Sequence, residues 1–464
     1  MQHFAHEDHL KALQFIESRE SNARTYARTF NKVMARGLLA KMWDVEGREY
    51  IDCLACAGAL PLGHNHPYVM ERVQAFIESG QIQQGLDIPT VAKHEFLQQL
   101  MLTLPAAFSK TARVQFCGPT GSDAVEAAIK LFKTSTGRRG VFAFHGAYHG
   151  MTLGALSLMG NLGPKAAISG LAPETHFFAY PHSARCPFGV GGKQGEAISL
   201  HYLDSVLSDP ESGITKPAMV ILEAIQGEGG CIAAPADWLR ELRALTERHD
   251  IPLVLDEVQT GFGRTGQLFA HEYAGIVPDA IVLSKALGGG FPLSLLAYHQ
   301  RHDTWHPGAH AGTFRGNQIA LIAGAATMQY IRQHDLHTQA LRKGERLQAG
   351  LRRLASRLPC LGEIRGRGLM VGAEIVHADT GTPGRLNGEL AKAIKRACFA
   401  QGLIVETGGR HGAVLRFLPP LIISEQEIDD VLKRLEAALI TVHKGDAIAD
   451  AIADAAPRIP QSAW

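Results

Sequence analysis

Ile281-Val-Leu-Ser-Lys-Ala-Leu-Gly-Gly-Gly290 is an apolar run that ends in a single lysine and passes straight into glycines. A lysine at the end of a buried run is costly unless it is paired, neutralised or put to use. Loss of water lowers its pKa, and the neutral amine is a nucleophile toward aldehydes. The simpler reading is a lysine that leaves a strand end and reaches out to water. The sequence upstream favours the first.

There, Ile251-Pro-Leu-Val-Leu-Asp-Glu-Val-Gln-Thr-Gly261 is a second apolar run, and it delivers Asp256 to its carboxyl end. In parallel α/β sheets the ligand crevice lies beyond the carboxyl ends of the strands. Lys285 and Asp256 on neighbouring strand ends therefore face one pocket. A lysine for an aldehyde and a carboxylate for a protonated ring nitrogen are what pyridoxal phosphate requires of its protein. Taken alone, Asp256 reads as a strand-end cap or ion-pair partner.

A phosphate also needs a cradle. Arg113-Val-Gln-Phe-Cys117 reads as a strand, Gly118-Pro-Thr-Gly-Ser122 as a turn, and Asp123-Ala-Val-Glu-Ala-Ala-Ile-Lys-Leu131 as a helix. Asp123 followed by Glu126 predicts a capping box with Asp123 as the cap. A helix start after a glycine turn presents free N–H groups and a positive dipole end to an anion. Gly121 would let the backbone approach the phosphate, and the Ser122 hydroxyl can donate to it. The pattern is neither a P-loop nor a dinucleotide fingerprint.

From about Tyr26 to Leu439 the chain resembles the class III aminotransferases, pyridoxal-phosphate enzymes of fold type I. The most specific segments are Asp256-Glu-Val-Gln-Thr-Gly-Phe-Gly-Arg-Thr-Gly266 and Ser284-Lys-Ala-Leu-Gly-Gly-Gly290. Four others are similar to one subgroup, the diaminobutyrate–2-oxoglutarate aminotransferases: Phe116–Glu126, Tyr148-His-Gly-Met-Thr152, Trp305–Gln318 and Val414-Leu-Arg-Phe-Leu-Pro-Pro420.

The resemblance assigns roles. Lys285 carries the cofactor and moves the proton, and Asp256 pairs with the pyridine nitrogen. Gln259 contacts the phenolic oxygen, Tyr148 stacks on the ring, and Gly121 and Ser122 bind the phosphate. Thr313 reaches the phosphate from a neighbouring subunit, which implies a homodimer with shared sites. Arg416 holds the α-carboxylate of glutamate or 2-oxoglutarate. A buried guanidinium suits that bidentate grip. Glu228 pairs with Arg416 when a terminal amine occupies the site, and Glu223 is a further active-site carboxylate. Outside the resemblance, Glu228 reads as a loop carboxylate and Arg416 as a structural ion pair.

One position departs from the wider class. Ornithine- and GABA-type relatives carry an arginine where this chain has Met151, and the clamp for a distal carboxylate goes with it. Arg315 and Tyr26 are the candidate replacements. The implied reaction is transfer of the amino group of L-glutamate to L-aspartate 4-semialdehyde, giving L-2,4-diaminobutyrate. The alternatives are an aminotransferase for another ω-diamine (ornithine, lysine or putrescine) and a PLP-dependent aminomutase or epimerase. A PLP-binding regulator would need a DNA-binding extension, and no basic stretch suggests one.

The 464 residues exceed a single core, and 46% of them are apolar. A net charge of +1 offers no bulk attraction to nucleic acid or membrane. The sequence has no apolar run of transmembrane length and no secretory pattern at Met1, and seven cysteines suit a reducing cytoplasm. The expected partners are small amino-acid substrates and a second copy of the chain. Cys53-Leu-Ala-Cys56 has no second pair to complete a zinc site, and His64-Asn-His66 sits in turn chemistry, so no metal is expected.

The expected fold is α/β: a large domain whose mostly parallel sheet is covered by helices, with a smaller α+β domain. Residues 1–60 would join the small domain, 61–335 form the large domain, 336–444 complete the small one, and 445–464 form a disordered tail. Strands are predicted at Arg113–Cys117, Gly140–Phe144, Ala218–Ala224, Leu253–Glu257 and Ala280–Leu283, with a hairpin over Lys41–Asp52.

Overall fold

The structure is a computed structural model that describes residues 6–455 except 173, 379, 380 and 382. Seven strands form the central sheet. In spatial order they are Ala112–Phe116, Leu295–His299, Ala280–Leu283, Leu253–Asp256, Met219–Leu222, Val141–Phe144 and Thr175–Phe178. Leu295–His299 runs antiparallel to both of its neighbours, and the other six strands share one direction.

Alternation along the strands explains the two covered faces. Ile281, Leu283, Leu253 and Leu255 point to one side, where helices Val91–Thr103, Gln318–Gln333 and Ala236–Arg248 bury them. Ala280, Val282 and Val254 point to the other, against helix Gly121–Thr136. A strand buried on both faces reads as an unbroken apolar run, and this made these segments legible. Two strands of this sheet went unpredicted. Thr175-His-Phe-Phe178 mixes polar and aromatic residues, and Leu295-Leu-Ala-Tyr-His299 follows the glycine run so closely that it reads as its continuation.

The predicted hairpin is present as Lys41–Asp44 and Glu49–Asp52, turning at Gly47 with φ 82°. Met34–Leu38 pairs along one edge, and Leu403–Ile404 lies parallel to Glu49–Asp52 along the other. Tyr50, Leu54, Phe399 and Ile404 form the small core between these segments. A second sheet, ordered Leu361–Arg367, Met370–Ile375, Val414–Phe417 and Glu406–Gly408, carries Arg416.

Two expectations are corrected. Helix Gly121–Thr136 is capped by Thr120, whose hydroxyl accepts from the Asp123 N–H (3.3 Å). Asp123 lies inside the first turn, and Glu126 belongs to another helix start, accepting from the Thr152 hydroxyl (2.6 Å) and the Gly154 and Ala155 N–H groups. The expected disorder of 445–464 fails for its first part, because the last helix runs Glu425–Ala455. Alanine-rich repeats have high helix propensity, which outweighs the lack of a clear apolar face. Residues 456–464 of that tail lie outside the described residues. Cys53 is buried and Cys56 exposed, both as free thiols. His64 bonds Asp52 (2.9 Å), and the ring of His66 lies edge-on to Tyr330, so both histidines are tied into the loop.

Candidate active site

Four adjacent parallel strands present chemistry at their carboxyl ends. Lys285 follows Ala280–Leu283, Asp256 ends Leu253–Asp256, Glu223 follows Met219–Leu222, and Tyr148 and His149 follow Val141–Phe144. The crevice the sheet topology requires is therefore lined by the residues the sequence singled out.

Lys285 opens a single helical turn with φ 49°, a left-handed conformation that costs a residue with a Cβ on the order of 1–3 kcal/mol. The turn is held from behind. Gly289, at φ 58°, lies against Ala323 O of helix Gln318–Gln333, where a side chain would have no room. Burial pulls the lysine pKa below its ordinary value, against the opposing fields of Glu228 and Asp256; Arg416 adds to the lowering.

Asp256 is buried. Its Oδ2 meets His149 Nδ1 at 2.7 Å, and its Oδ1 accepts from the Val258 N–H at 3.0 Å. His149 is also buried, and its Nε2 has no partner among the described residues. Glu223 accepts from the Tyr148 N–H (3.0 Å) and the Gly227 N–H (2.8 Å). Burial, and next among the raising influences Asp256, push its pKa up to about 7, while His149 opposes the shift. Gln259 donates to Ala57 O (3.1 Å), and its buried Oε1 is unpartnered. A Cβ at Gly227 would occupy the place of that amide.

The cradle lies alongside. The first N–H groups of helix Gly121–Thr136 have no partner within the helix. A side chain at Gly121 would press on Val258, and one at Gly150, φ 127°, would displace Ser122. Ser122 Oγ accepts from the Met151 N–H (3.2 Å), which leaves its own hydrogen free to donate.

Arg416 is 1% exposed and donates from Nη2 to Glu228 Oε1 at 2.7 Å; the Glu228 side chain is 33% exposed. Nε and Nη1 of the guanidinium are buried without a partner among the described residues. Burial works against the charge, but Glu228, with Cys231 and Glu406, raises the arginine pKa. Two inward-facing donors with nothing to bond are expensive unless a ligand fills them.

Of the two candidate replacements for the clamp, Tyr26 belongs to this cleft. Its phenol is pushed up to about 12, first by burial and then by Glu228 and Glu406. Within its own chain Arg315 bonds Asp87 (2.5 Å) and His310 O (3.0 Å) instead. Thr313 is exposed on the same loop and makes no hydrogen bond among the described residues. Sequence reasoning passed over His149. Its only signal was its place beside Tyr148, since a partner 107 residues away cannot be read from local pattern.

These residues fit pyridoxal phosphate. The cradle admits no extra side chain, a buried carboxylate stands on the next strand to a lysine whose pKa burial lowers, and Gln259 and Arg416 carry buried polar atoms with no partner among the described residues.

Comparison with known proteins agrees. Residues 22–439 match the family described as Aminotransferase class-III. A diaminobutyrate–2-oxoglutarate aminotransferase of Rhizobium meliloti (strain 1021) is 52% identical, the alignment covering 91% of each chain. One from Haemophilus influenzae is 46% identical over 92% of this chain and 94% of its own. Among solved structures, an amine transaminase from an uncultivated Pseudomonas species in a PLP-bound form superposes with a TM-score of 0.81 at 27% identity, covering 91% of this chain and 98% of that one. With the match spanning nearly the whole chain, the chain belongs to the class-III aminotransferases, which work with pyridoxal phosphate.

Proposed function

We propose that the chain is an L-2,4-diaminobutyrate:2-oxoglutarate 4-aminotransferase. It passes the amino group of L-glutamate to L-aspartate 4-semialdehyde, reversibly, in two half-reactions on one site. The observation that carries this is Arg416, buried, with one nitrogen on a displaceable glutamate and two donors unfilled. The names of the relatives at 52% and 46% identity support the same substrates.

When bound, pyridoxal phosphate supplies an aldehyde that takes up an amino group and a ring that accepts the electron pair released at the substrate carbon. The residues of the chain do the rest. Gly121 and Ser122 hold the phosphate. Asp256, oriented by His149, holds a proton on the ring nitrogen. Gln259 bonds the phenolic oxygen and Tyr148 covers the ring. Lys285, its pKa lowered by burial, would hold the cofactor's aldehyde through its amine and would carry a proton to and from the substrate carbon. Arg416 takes the α-carboxylate of glutamate or 2-oxoglutarate when Glu228 moves aside. With diaminobutyrate, whose terminal amine reacts, Glu228 stays on Arg416 and closes the carboxylate site. Glu223 braces Tyr148 and the Gly227 turn.

The working unit is a homodimer with shared sites. Ile82, Leu86, Ile88, Val91 and Phe314 are exposed on two segments that Arg315–Asp87 and Thr90–Gln318 stitch together. A second copy would cover such an apolar surface and would bring Thr313 to its neighbour's phosphate. We place the enzyme in the cytoplasm, where seven free thiols are at home.

Single-turnover absorbance of the bound cofactor separates the halves. Arg416→Lys loses the planar two-bond grip, so the glutamate half should slow by roughly 2–5 kcal/mol of barrier, with diaminobutyrate much less affected. Equal losses in both halves would refute the switch. Glutamate offered with a panel of semialdehydes identifies the product amine: ornithine, lysine or putrescine would point to another ω-diamine. Amine returned to a single substrate without 2-oxoglutarate would point to an isomerase.

A further inference from the structure

Arg416 has a second carboxylate neighbour. Glu406 lies directly across from it in the antiparallel pair Glu406–Gly408 and Val414–Phe417. Residues opposed in this way put their Cβ atoms roughly 4.5–5.5 Å apart on the same face of the sheet. Glu406 is buried, and Arg416 has Nε and Nη1 buried and unfilled. Attraction between such groups is strong where water is scarce. Yet Arg416 bonds Glu228, whose carbonyl accepts from the Gly409 N–H (2.8 Å) just past the end of strand Glu406–Gly408.

Lys395 explains the choice. It reaches from helix Gly388–Ala400 and bonds Glu406 Oε1. The same oxygen accepts from the Thr407 N–H (2.8 Å) and lies 3.4 Å from the Thr407 hydroxyl. Phe30 roofs the pair, with its ring centroid 5.3 Å from Lys395 Nζ, and Phe30 packs edge-on against Phe399 of the same helix. Gly408 leaves the path of the guanidinium clear: a Cβ there would come within 2.6 Å of Arg416 Nε.

We propose that Lys395 and Glu406 are positioning residues: by occupying Glu406, Lys395 keeps the inner donors of Arg416 vacant for a substrate carboxylate. This rests on the carboxylate-binding role proposed for Arg416. The two glutamates then divide the work. Glu228 is half open to the cleft and can be displaced by substrate. Glu406 is internal, and if released it would seal the arginine from behind. Removing Lys395 leaves Glu406 as a buried charge without its cation, and the nearest unfilled donors are those of Arg416.

The test uses the holoenzyme and the two half-reactions. Lys395→Met should slow the glutamate half at least about tenfold and raise the KM for 2-oxoglutarate, with the diaminobutyrate half within about twofold of wild type. Adding Glu406→Gln in the same chain should restore both, because no carboxylate remains to seal the arginine. Lys395→Arg, which keeps the ion pair, should stay close to wild type. An unchanged glutamate half, equal loss in both halves, or no recovery in the double variant overturns the proposal. Should Lys395→Met not fold, Glu406→Gln alone decides. A glutamate half within about threefold of wild type supports a guarded bystander, and a larger loss means that Glu406 is itself needed. If Arg416→Lys weakens the glutamate half selectively while Lys395→Met does not, only this inference falls. If Arg416→Lys is not selective, the reading of Arg416 falls first.

Discussion

Two buried aspartates stand at opposite ends of neighbouring strands. Asp279 precedes Ala280–Leu283, and Asp256 ends Leu253–Asp256. Asp279 is saturated. It accepts from the Leu253 N–H (2.9 Å) and Arg243 (2.6 Å), and it meets Arg301 and His302. Burial alone would raise its pKa, but His302, Arg243 and the Leu253 N–H hold it well below the usual carboxylate range. Asp256 has one histidine and one N–H, with no arginine or lysine bonded to it among the described residues. An acid in the same sheet, equally buried, is closed off with permanent cations at one end and left under-supplied at the other. The difference separates a structural carboxylate from one that waits for a ligand.

The contrast can be broken. Its largest consequence is at Lys285, beyond the under-supplied end. Lys285→Ala should cut turnover by roughly 10⁴-fold or more, since it removes both nucleophile and proton carrier. Thermal melting of the cofactor-free protein should hold or improve, because the site stores cost rather than stability. Retained turnover, or a collapse of the fold, would count against the reading.

Asp279→Asn and Asp256→Asn should diverge. The first strands Arg243 and Arg301 and should cost about 3–5 kcal/mol of stability, with the remaining folded enzyme turning over normally. The second should cost about 10²–10³ in kcat and little in denaturant midpoint. For Asp279 the folded pKa is depressed, so its stabilisation is present above an unfolded value of about 3.9 and drains away as the pH falls through the folded value. Acid unfolding of Asp279→Asn should be correspondingly flatter below that point. Matching profiles for the two variants would erase the distinction between the ends of the sheet.

Glu223 gives a smaller effect of opposite sign. Its folded pKa of about 7 lies above an unfolded value of about 4.3. The folded state therefore binds the extra proton, and the contribution is present at low pH and lost as the pH rises through about 7. Melting of the cofactor-free protein should show a loss on the order of 3 kcal/mol between pH 5 and 8, and Glu223→Gln should remove that slope. The least effect is expected at Thr120. Thr120→Ala deletes a helix cap for about 1 kcal/mol and should loosen phosphate binding only slightly, as read by cofactor titration.

The carboxyl-end residues were legible because each interrupts an apolar run: Lys285 after Ile281–Leu283, Asp256 after Leu253–Leu255. A charge placed there declares itself against its neighbours. Arg416 was legible in the same way, inside Val414–Phe417. His149 and the Lys395–Glu406 pair were not, because their meaning lies in partners that only tertiary folding supplies. The cap was misassigned by one turn since Thr120, inside the glycine-rich segment, reads as turn chemistry until the helix start is fixed. Leu295–His299 was lost for a related reason. A largely apolar run of five residues has no period of its own, and only pairing with Ala112–Phe116 and Ala280–Leu283 makes it a strand.

The pairing of Glu49–Asp52 with Leu403–Ile404 has a consequence in time. During synthesis the hairpin leaves the ribosome early, while its last neighbour follows some 350 residues later. At 5–20 residues per second that interval is roughly 20–70 s. The central sheet can close within it, since its strands all lie between residues 112 and 299. The amino-terminal strands cannot, and for most of translation they carry an unpaired edge. Glu49, a part-exposed charge at the start of that edge strand, disfavours a wrong neighbour until the right one is made.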